Sequence, residues 1–216
     1  PFDNFAAQRN HAIEEIEFKH EWVLHLDADE VVTAPLREEI AEAIRVPSFD
    51  AYRIASKLMF RGRWLRYSGM YPTYQVRLGK KGSLRFAQVG HGQRESLPAE
   101  RIGTLKEPYL HYGFSKGLAD WIERHNRYSS DEAKENLNRA AVAPGRLFSP
   151  DRTERRRALK ALSVRLPFRP LLRFLYMYML RLGFLDGRTG WTYCRLMAMY
   201  ENWIVLKERE LRRQRL

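Results

Sequence analysis

The chain has 216 residues, of which 44% are hydrophobic and 30% charged, so its composition is that of a folded globular protein and excludes a disordered or low-complexity chain. A single cysteine, Cys194, excludes an internal disulfide and a cysteine-rich zinc site, and it indicates a reducing compartment. The formal charge of +12 comes from the last third, because residues 139–216 hold 18 basic and 6 acidic side chains whereas residues 1–108 hold 16 and 15.

The N-terminal part reads as helix, strand, acidic turn and helix. Apolar residues recur at helical spacing over residues 5–16, after the capping candidates Asp3 and Asn4. The apolar run over residues 22–26 predicts a buried strand, and residues 36–44 place their apolar side chains on one face of a second helix. This order is typical of an α/β domain.

The middle of the chain contains further strand patterns. Strands are predicted over residues 51–56, 74–78 and 108–112, and residues 84–87 are expected to form a hairpin with 74–78. From Ser115, a candidate N-cap, a helical pattern runs toward Leu137.

Proline and glycine over residues 140–150 predict a linker, and basic helical segments follow over residues 151–166, 170–182 and 189–211. We therefore expect an α/β domain over residues 1–138, a linker over 139–150 and a basic, amphipathic helical region over 151–216.

Three carboxylates, Asp27, Asp29 and Glu30, follow the first predicted strand. Ligands of α/β proteins bind outside the carboxyl ends of parallel strands, so a D-x-D pair at this place suits a divalent metal. Mg²⁺ or Mn²⁺ would take oxygen donors here, and waters and substrate phosphates would complete its coordination. An acidic surface turn that caps the next helix is the alternative interpretation.

Several short motifs occur in a fixed order along nearly the whole chain. They are F-A-A-Q-R-N-H-A from Phe5, W-V-L-H-L-D-A-D-E from Trp22, G-R-W from Gly62, G-M-Y-P from Gly69, Q-V-R-L from Gln75, L-H-Y from Leu110, E-R-H-N-R-Y from Glu123 and R-L-G-F-L-D-G from Arg181. With these motifs the chain resembles the family 2 glycosyltransferases of the GT-A fold. Within that family it is similar to the bacterial subgroup that adds glucose and related sugars to lipopolysaccharide core or other envelope glycans.

The resemblance implies a Rossmann-like mixed sheet and an inverting transfer of a hexose from a nucleotide-diphosphate donor, UDP-sugar above all. Members of the family begin with further strands that hold the base and ribose. None of these strands precedes Pro1, so we expect the α/β part to be an N-terminally truncated GT-A catalytic domain.

The resemblance also implies a donor site around the D-x-D motif. Asp27 would contact the donor ribose or the metal, and Asp29 would bind the Mg²⁺ or Mn²⁺ that bridges the diphosphate. Arg9 and Asn10 would lie on the donor side, and a plain residue on the helix surface is the alternative for Arg9. His111 would be a third metal ligand or a donor to the diphosphate, and a core histidine bonded to backbone is the alternative.

Two arginines, Arg124 and Arg127, lie three positions apart on one predicted helix and would clamp diphosphate oxygens. Inversion needs a carboxylate that takes the proton of the attacking hydroxyl, and Glu95 is the candidate, with His91 at the start of the same short segment, H-G-Q-R-E over residues 91–95. A solvated loop glutamate is the alternative for Glu95. The acceptor would stack on a group of aromatic residues, namely Trp64, Tyr67, Tyr71 and Tyr74.

The C-terminal region alternates arginines with large apolar residues, which is typical of a helix in a membrane interface. Together with the resemblance, this pattern predicts a peripheral enzyme at the cytoplasmic face of the membrane, acting on a glycolipid or glycan acceptor. A basic module that binds nucleic acid explains the arginines but leaves Asp27 and Asp29 without a role. A non-catalytic interaction protein derived from the transferase is the third alternative.

Overall fold

The computed structural model describes residues 4–89, 92–138, 149–151, 155, 158, 159, 162 and 166–214. Its helices are α1 (Phe5–Glu15), α2 (Ala34–Arg45), α3 (Gly117–Asn138), α4 (Arg169–Leu175) and α5 (Gly187–Gln214), with 3-10 segments over Ala99–Arg101 and Gly183–Asp186 and a π-helical segment over Tyr176–Leu180. The strands are β1 (Trp22–Leu24), β2 (Glu30–Val31), β3 (Ala51–Phe60), β4 (Arg63–Trp64), β5 (Thr73–Lys80), β6 (Phe86–Val89), β7 (Gly92–Glu95), β8 (Ile102–Thr104) and β9 (Tyr109–His111).

The first two helices begin where their capping residues predict. Asn4 accepts a hydrogen bond from the backbone N–H of Ala7 at 2.8 Å, and Thr33 accepts one from Leu36 at 3.3 Å. Pro35 occupies the first turn of α2, where a missing N–H costs no hydrogen bond. The predicted helices over 5–16 and 36–44 are therefore confirmed, with these side chains satisfying their first free N–H groups.

Among the described residues, seven strands form one mixed sheet with the path β1-β5-β3-β9-β2, and β4 and β8 also pair with β3. The strand β3 pairs antiparallel with β5 and parallel with β8 and β9. The predicted α/β class is confirmed. The acidic turn does not lie at the carboxyl ends of paired parallel strands, however, because β1 runs antiparallel to β5 and β2 antiparallel to β9.

The short connection from β1 to β2 shows that the sheet is curled. The two strands lie at opposite ends of the path, about 19 Å apart in a flat sheet of four strand spacings. The steps from Leu24 to Glu30 reach about 20 Å only when fully extended. They are not extended, since the N–H of Glu30 donates to the carbonyl of Asp27 at 3.0 Å in a turn. The sheet is thus a half-barrel. The turn over residues 25–29 joins its two edge strands, β1 and β2, and we call the opening between these strands the mouth of the half-barrel.

The predicted hairpin between residues 74–78 and 84–87 is wrong. Both edges of β5 are occupied, by β1 and by β3, and β6 pairs with β7 in a separate ribbon that places Phe86 opposite Glu95. Leu84 packs over Gly79, where a Cβ would lie 2.6 Å from Leu84 Cδ2, and this contact turns the chain away from β5.

The core lies on both faces of the sheet and continues into the C-terminal helices. Ala51 belongs to a cluster with α1 that includes Ile13, whereas its neighbour Tyr52 belongs to a cluster with α2 that includes Leu36. A third cluster joins the end of β3 to the helices α3 and α5: Phe60, Leu65, Trp121 and Leu196. The C-terminal helices therefore share a core with the sheet.

Buried ion pairs hold the C-terminal helices to one another. Arg169 at the start of α4 donates to Glu201 and Glu208 of α5 at 2.6 and 2.9 Å, and Asn136 of α3 donates to Glu208 at 2.7 Å. The predicted helices over 170–182 and 189–211, with a break between them, are confirmed. The predicted linker at 139–148 and most of the predicted helix over 151–166 lie outside the described residues.

Candidate functional site

The turn across the mouth of the half-barrel is braced by two arginines. One oxygen of Asp27 accepts from Arg9 of α1 at 2.6 Å, and the other accepts from Arg77 of β5 at 2.9 Å. The side chain of Asp27 is half exposed, so its carboxylate lies at the surface between these two cations. Both oxygens thus have a guanidinium partner, and the role of Asp27 at the ribose or metal stays a prediction.

Arg77 is buried, with 3% of its side chain exposed, and it also forms an ion pair with the buried carboxylate of Glu30. Glu30 in turn accepts from the N–H of Asp27 at 3.0 Å. Burial raises the pKa of the Glu30 carboxyl, although the charge of Arg77 opposes this shift. A buried carboxylate needs a cationic partner, and Arg77 is that partner for Glu30. Because Arg77 also binds Asp27, it holds both carboxylates of the turn in place.

His25 precedes the turn and packs against the ring of Phe86, with the ring centroids 5.3 Å apart. Its Nε2 is buried and has no hydrogen-bond partner among the described residues. Burial, followed by the charges of Arg9 and Arg77, lowers the pKa of His25 from 6.5 to about 4. The side chain is therefore neutral at physiological pH and adds no further positive charge behind the turn.

Asp29 lies on the other side of the turn and faces His111 at the end of β9. Asp29 Oδ2 and His111 Nε2 are 3.5 Å apart, and both side chains are partly exposed. A backbone hydrogen bond joins the same two segments, since the N–H of Tyr112 donates to the carbonyl of Asp29 at 2.7 Å. The contact with His111 is the main cause that lowers the pKa of Asp29, and Arg124 contributes through its charge. Asp29 is therefore an ionised carboxylate with an imidazole beside it.

This pair fits a divalent metal of the kind that keeps other ligands. Among the residues that the structure describes, no group of three or more His, Cys, Asp or Glu side chains is arranged to hold a metal ion. A carboxylate and an imidazole are nevertheless sufficient protein donors when waters and phosphates complete the coordination, and the nitrogen favours Mn²⁺ over Mg²⁺. Asp29 and His111 are thus the residues that could hold the metal.

Arg124 lies beside this pair, whereas Arg127 does not contribute to it. The guanidinium of Arg124 donates to Asp120 at 2.8 Å and to the carbonyl of Gly113 at 2.7 Å. Gly113 adjoins the imidazole, because a Cβ on it would lie 3.3 Å from His111 Nε2. Arg127, one turn further along α3, is exposed and is not among the charges that shift the pKa of Asp29.

The predicted donor-side residues connect the ribbon to the turn. Asn10 donates to the carbonyl of Phe86 at 2.8 Å and accepts from its N–H at 2.9 Å, so its amide acts as a pairing partner of β6. Arg9 stacks on the Phe86 ring, 5.7 Å from the ring centroid. Glu95 lies directly opposite Phe86, and its side chain points to the same face of the ribbon. Glu95 is partly exposed, and His91 lies outside the described residues.

The aromatic residues predicted for the acceptor lie close together along the chain, and Trp64, Tyr67 and Tyr71 are partly exposed. Trp64 and Tyr71 meet edge to face with centroids 5.0 Å apart, and Lys57 lies 4.7 Å from the centre of the Trp64 ring. Trp64 Nε1 is buried without a partner in the described part of the chain. Tyr74 is exposed. The buried Trp64 N–H is not accessible to a ligand, and only the partly exposed aromatic faces suit stacking with a sugar.

Asp186 supports this cluster from the C-terminal helices, and sequence reasoning missed it. Its carboxylate accepts from the backbone N–H groups of Arg66, Tyr67 and Ser68, at 3.2, 3.1 and 2.7 Å, and from the Ser68 hydroxyl at 2.6 Å. Only the neighbouring glycines signalled a tight turn here. Arg77 was missed as a site residue too, although a cation between Val76 and Leu78 in an apolar strand was the available signal.

No helix within the described ranges is long and apolar enough to cross a membrane. In the comparison with known protein families, no family model matches the chain.

Proposed function

We propose that this chain is a metal-assisted, inverting glycosyltransferase of the GT-A fold. It would transfer a hexose such as glucose from a nucleotide-diphosphate donor, UDP-sugar in particular, to a lipopolysaccharide-core or other envelope glycolipid or glycan acceptor. The observation that supports this best is the pair Asp29 and His111 at the mouth of the half-barrel, 3.5 Å apart and next to Arg124.

Each part of the site has a task in this reaction. Asp29 and His111 would hold Mg²⁺ or Mn²⁺, which when bound supplies positive charge against the leaving diphosphate. Arg124 adds a permanent cation on the same side, and guanidinium groups suit phosphate oxygens. Arg9 and Arg77 hold the turn through Asp27, and Asp29 in the same turn lies next to His111.

The transfer itself is a single displacement. The acceptor oxygen forms a bond to the anomeric carbon while the bond from that carbon to the diphosphate oxygen breaks, which inverts the configuration. The proton of the acceptor hydroxyl passes to the carboxylate of Glu95, and the nucleoside diphosphate leaves. Glu95 lies opposite Phe86 in the ribbon, and Arg9 stacks on the Phe86 ring and binds Asp27. Phe86 and Arg9 therefore lie between the proposed base and the turn that would bind the donor.

The test is thermal stabilisation by UDP with and without Mn²⁺, because a ligand that binds only the folded state raises its melting temperature. We would measure this chain and its Asp29→Ala variant. At a UDP concentration of about one hundred times Kd, a shift of roughly 5–10 °C is expected. The shift should require Mn²⁺ and disappear in Asp29→Ala.

Asp50→Ala is the matched control, because Asp50 is also an ion-paired aspartate but binds Arg101 away from the turn. It should keep the full Mn²⁺-dependent shift. Absence of a shift in the unchanged chain, or an equal shift in Asp29→Ala, would overturn the proposal.

A further inference from the structure

In α4 and the segment that follows it, arginines face the interior of the protein and large apolar side chains face solvent. Their cations point inward: Arg169 binds Glu201 and Glu208, Arg173 Nη2 contacts Met70 Sδ at 3.9 Å, and Arg181 donates to the carbonyl of Tyr71 at 3.4 Å. The arginines predicted to face a membrane are therefore used inside the protein at these three positions.

The opposite face of the same segment is apolar and exposed. Its residues recur at intervals of three and one, which places them along one side of a helix. They are Phe168, Leu171, Leu172, Leu175, Tyr176, Met179 and Leu180, and we call them the apolar stripe. Phe168 and Leu180, at its two ends, are 77% and 76% exposed. Leu182, Phe184 and Leu185 extend the exposed apolar surface beyond it.

Helix α5 adds aromatic and basic residues at the border of the stripe. Trp191 packs edge to face against Phe174 and Tyr178, at 5.0 and 5.1 Å between centroids, so it lies next to the stripe-bearing segment. Arg188 and Arg195 are exposed and lie one turn before and one turn after Trp191. Tryptophan flanked by arginines is the composition found at the boundary of lipid and water.

In the described range 166–207, which holds these cations, the acidic side chains are engaged elsewhere. Within residues 166–207 the acidic residues are Asp186 and Glu201, and both carboxylates are engaged inward, with the Arg66–Ser68 backbone and with Arg169. The exposed face is thus apolar with a net positive border. This combination complements an anionic bilayer, where apolar side chains enter the acyl boundary and arginines meet lipid headgroups.

We infer that the apolar stripe, bordered by Arg188, Trp191 and Arg195, is a face that inserts into the surface of an anionic lipid bilayer. The helix lies in the plane of the interface and does not span it. This inference rests on the proposed function only in the use that it gives this face. Binding at the bilayer surface would bring the aromatic cluster at Trp64 to a lipid-linked acceptor.

The geometry also connects the two surfaces. Arg173 and Arg181, on the inner side of the membrane-facing segment, contact Met70 and Tyr71 of the loop that carries the aromatic cluster. Asp186 binds the same loop a few residues earlier. The proposed lipid face and the proposed acceptor surface are therefore parts of one packed unit.

The experiment is co-sedimentation of the chain with vesicles of phosphatidylglycerol and phosphatidylcholine, compared with vesicles of phosphatidylcholine alone. We expect binding to the anionic vesicles that weakens as salt is added. The double variant Phe168→Ser/Leu180→Ser should bind at least about tenfold more weakly, because two large apolar side chains no longer enter the bilayer. Arg188→Gln/Arg195→Gln should lose about tenfold on anionic vesicles only.

Val46→Ser is the matched control, since Val46 is 70% exposed but lies at the end of α2, far along the chain from the stripe. It should bind vesicles like the unchanged chain, and far-UV circular dichroism should show that every variant is folded. Equal vesicle binding by Phe168→Ser/Leu180→Ser, or no binding by the unchanged chain, would overturn the inference. So would a concentration-dependent dimer that the same variant abolishes without any vesicle binding, because a second copy would then cover the stripe.

Vesicle binding needs no nucleotide, and the UDP test needs no lipid. Failure of one experiment therefore leaves the result of the other unchanged.

Discussion

His111 Nε2 lies 3.5 Å from Asp29 Oδ2, and this contact joins the end of β9 to the turn that precedes β2. The two side chains come from positions that are neighbours only because β2 and β9 pair, with Glu30 opposite His111. If they bind one metal together, changing either should have the effect of changing both.

The first prediction concerns this shared position. Asp29→Asn and His111→Gln should each remove most of the Mn²⁺-dependent thermal shift by UDP, and the double variant should lose no more than either single variant. Such non-additivity is expected of residues that act as one site. Thermal melts of the four proteins measure it, and additive partial losses would contradict a shared metal.

The second prediction concerns pH and His25. The folded pKa of His25 is about 4 against an ordinary value of 6.5, so the unfolded chain takes up this proton first as the pH falls. The free energy of unfolding should therefore decrease by about 3 kcal/mol between pH 6.5 and pH 4. Urea denaturation at several pH values measures this slope.

His25→Gln is the control for this slope, because glutamine does not titrate. Its unfolding free energy should change less over the same pH range, and an unchanged slope would show that another group is responsible. The lowered pKa of Asp29 acts at more acid pH, where protonation of its carboxylate removes stability as the pH falls below the ordinary value of 3.8.

The third prediction concerns the buried pair of Arg77 and Glu30. Arg77→Met leaves the Glu30 carboxylate buried without its cation, which should cost about 3–5 kcal/mol of unfolding free energy. Adding Glu30→Gln should restore part of this loss, because the uncompensated charge is removed. Chemical denaturation of both variants measures the difference, and a double variant no more stable than Arg77→Met would count against the pairing.

Arg45→Met is the control for an arginine that has no buried partner. Arg45 pairs with Glu42 on the surface of α2, and both side chains are exposed. Surface pairs of this kind contribute little, so this variant should unfold like the unchanged protein.

The fourth prediction concerns the carboxylate of Asp186. It accepts hydrogen bonds from four donors in residues 66–68, and three of these donors are backbone N–H groups. Asp186→Asn replaces the charged acceptor by a neutral one with a single oxygen, so the loop should open more often. Amide hydrogen exchange should show faster exchange at Tyr67 and Ser68, while amides of β3 keep their protection. Unchanged exchange at both residues would contradict this role.

Local patterns in the sequence predicted the elements that form by local interactions. The helices begin at Asn4 and Thr33 because their side chains bond to N–H groups three residues later, which a single sequence segment can reveal. The predicted strands at 51–56, 74–78 and 108–112 were also confirmed, because their apolar patterns can be recognised within one segment, and β3 and β5 extend further than predicted.

Pairing between distant segments could not be predicted in the same way. Residues 84–87 follow β5 closely enough for a hairpin, but β1 and β3 occupy both edges of β5. That competition depends on residues some distance along the chain. The inward direction of Arg169 was also missed, because Glu201 and Glu208 lie on another helix and nothing local shows that α5 packs there.

The candidate site could be predicted from the D-x-D motif only as a group of residues, and the contacts of those residues could not be predicted. The D-x-D motif identified Asp27 and Asp29, and the structure separates them: Asp27 faces Arg9 and Arg77, while Asp29 faces His111. Their different partners come from the curl of the sheet, which brings β5 to one side of the turn and β9 to the other. Glu95 as the base and the metal itself stay predictions.

The placement of β3 has a consequence for how the chain folds during synthesis. Its parallel partners follow late, as in the bond from Arg53 Nε to Thr104, which spans 51 positions. A ribosome-bound chain can pair β3 with β5 early, yet the opposite edge of β3 stays open until β8 and β9 emerge. Loops of this length must close before their contacts contribute, which slows folding. An open, apolar strand edge is also a template for other chains, so slow or stalled synthesis between Lys80 and His111 should be the step at which this protein is most prone to aggregate.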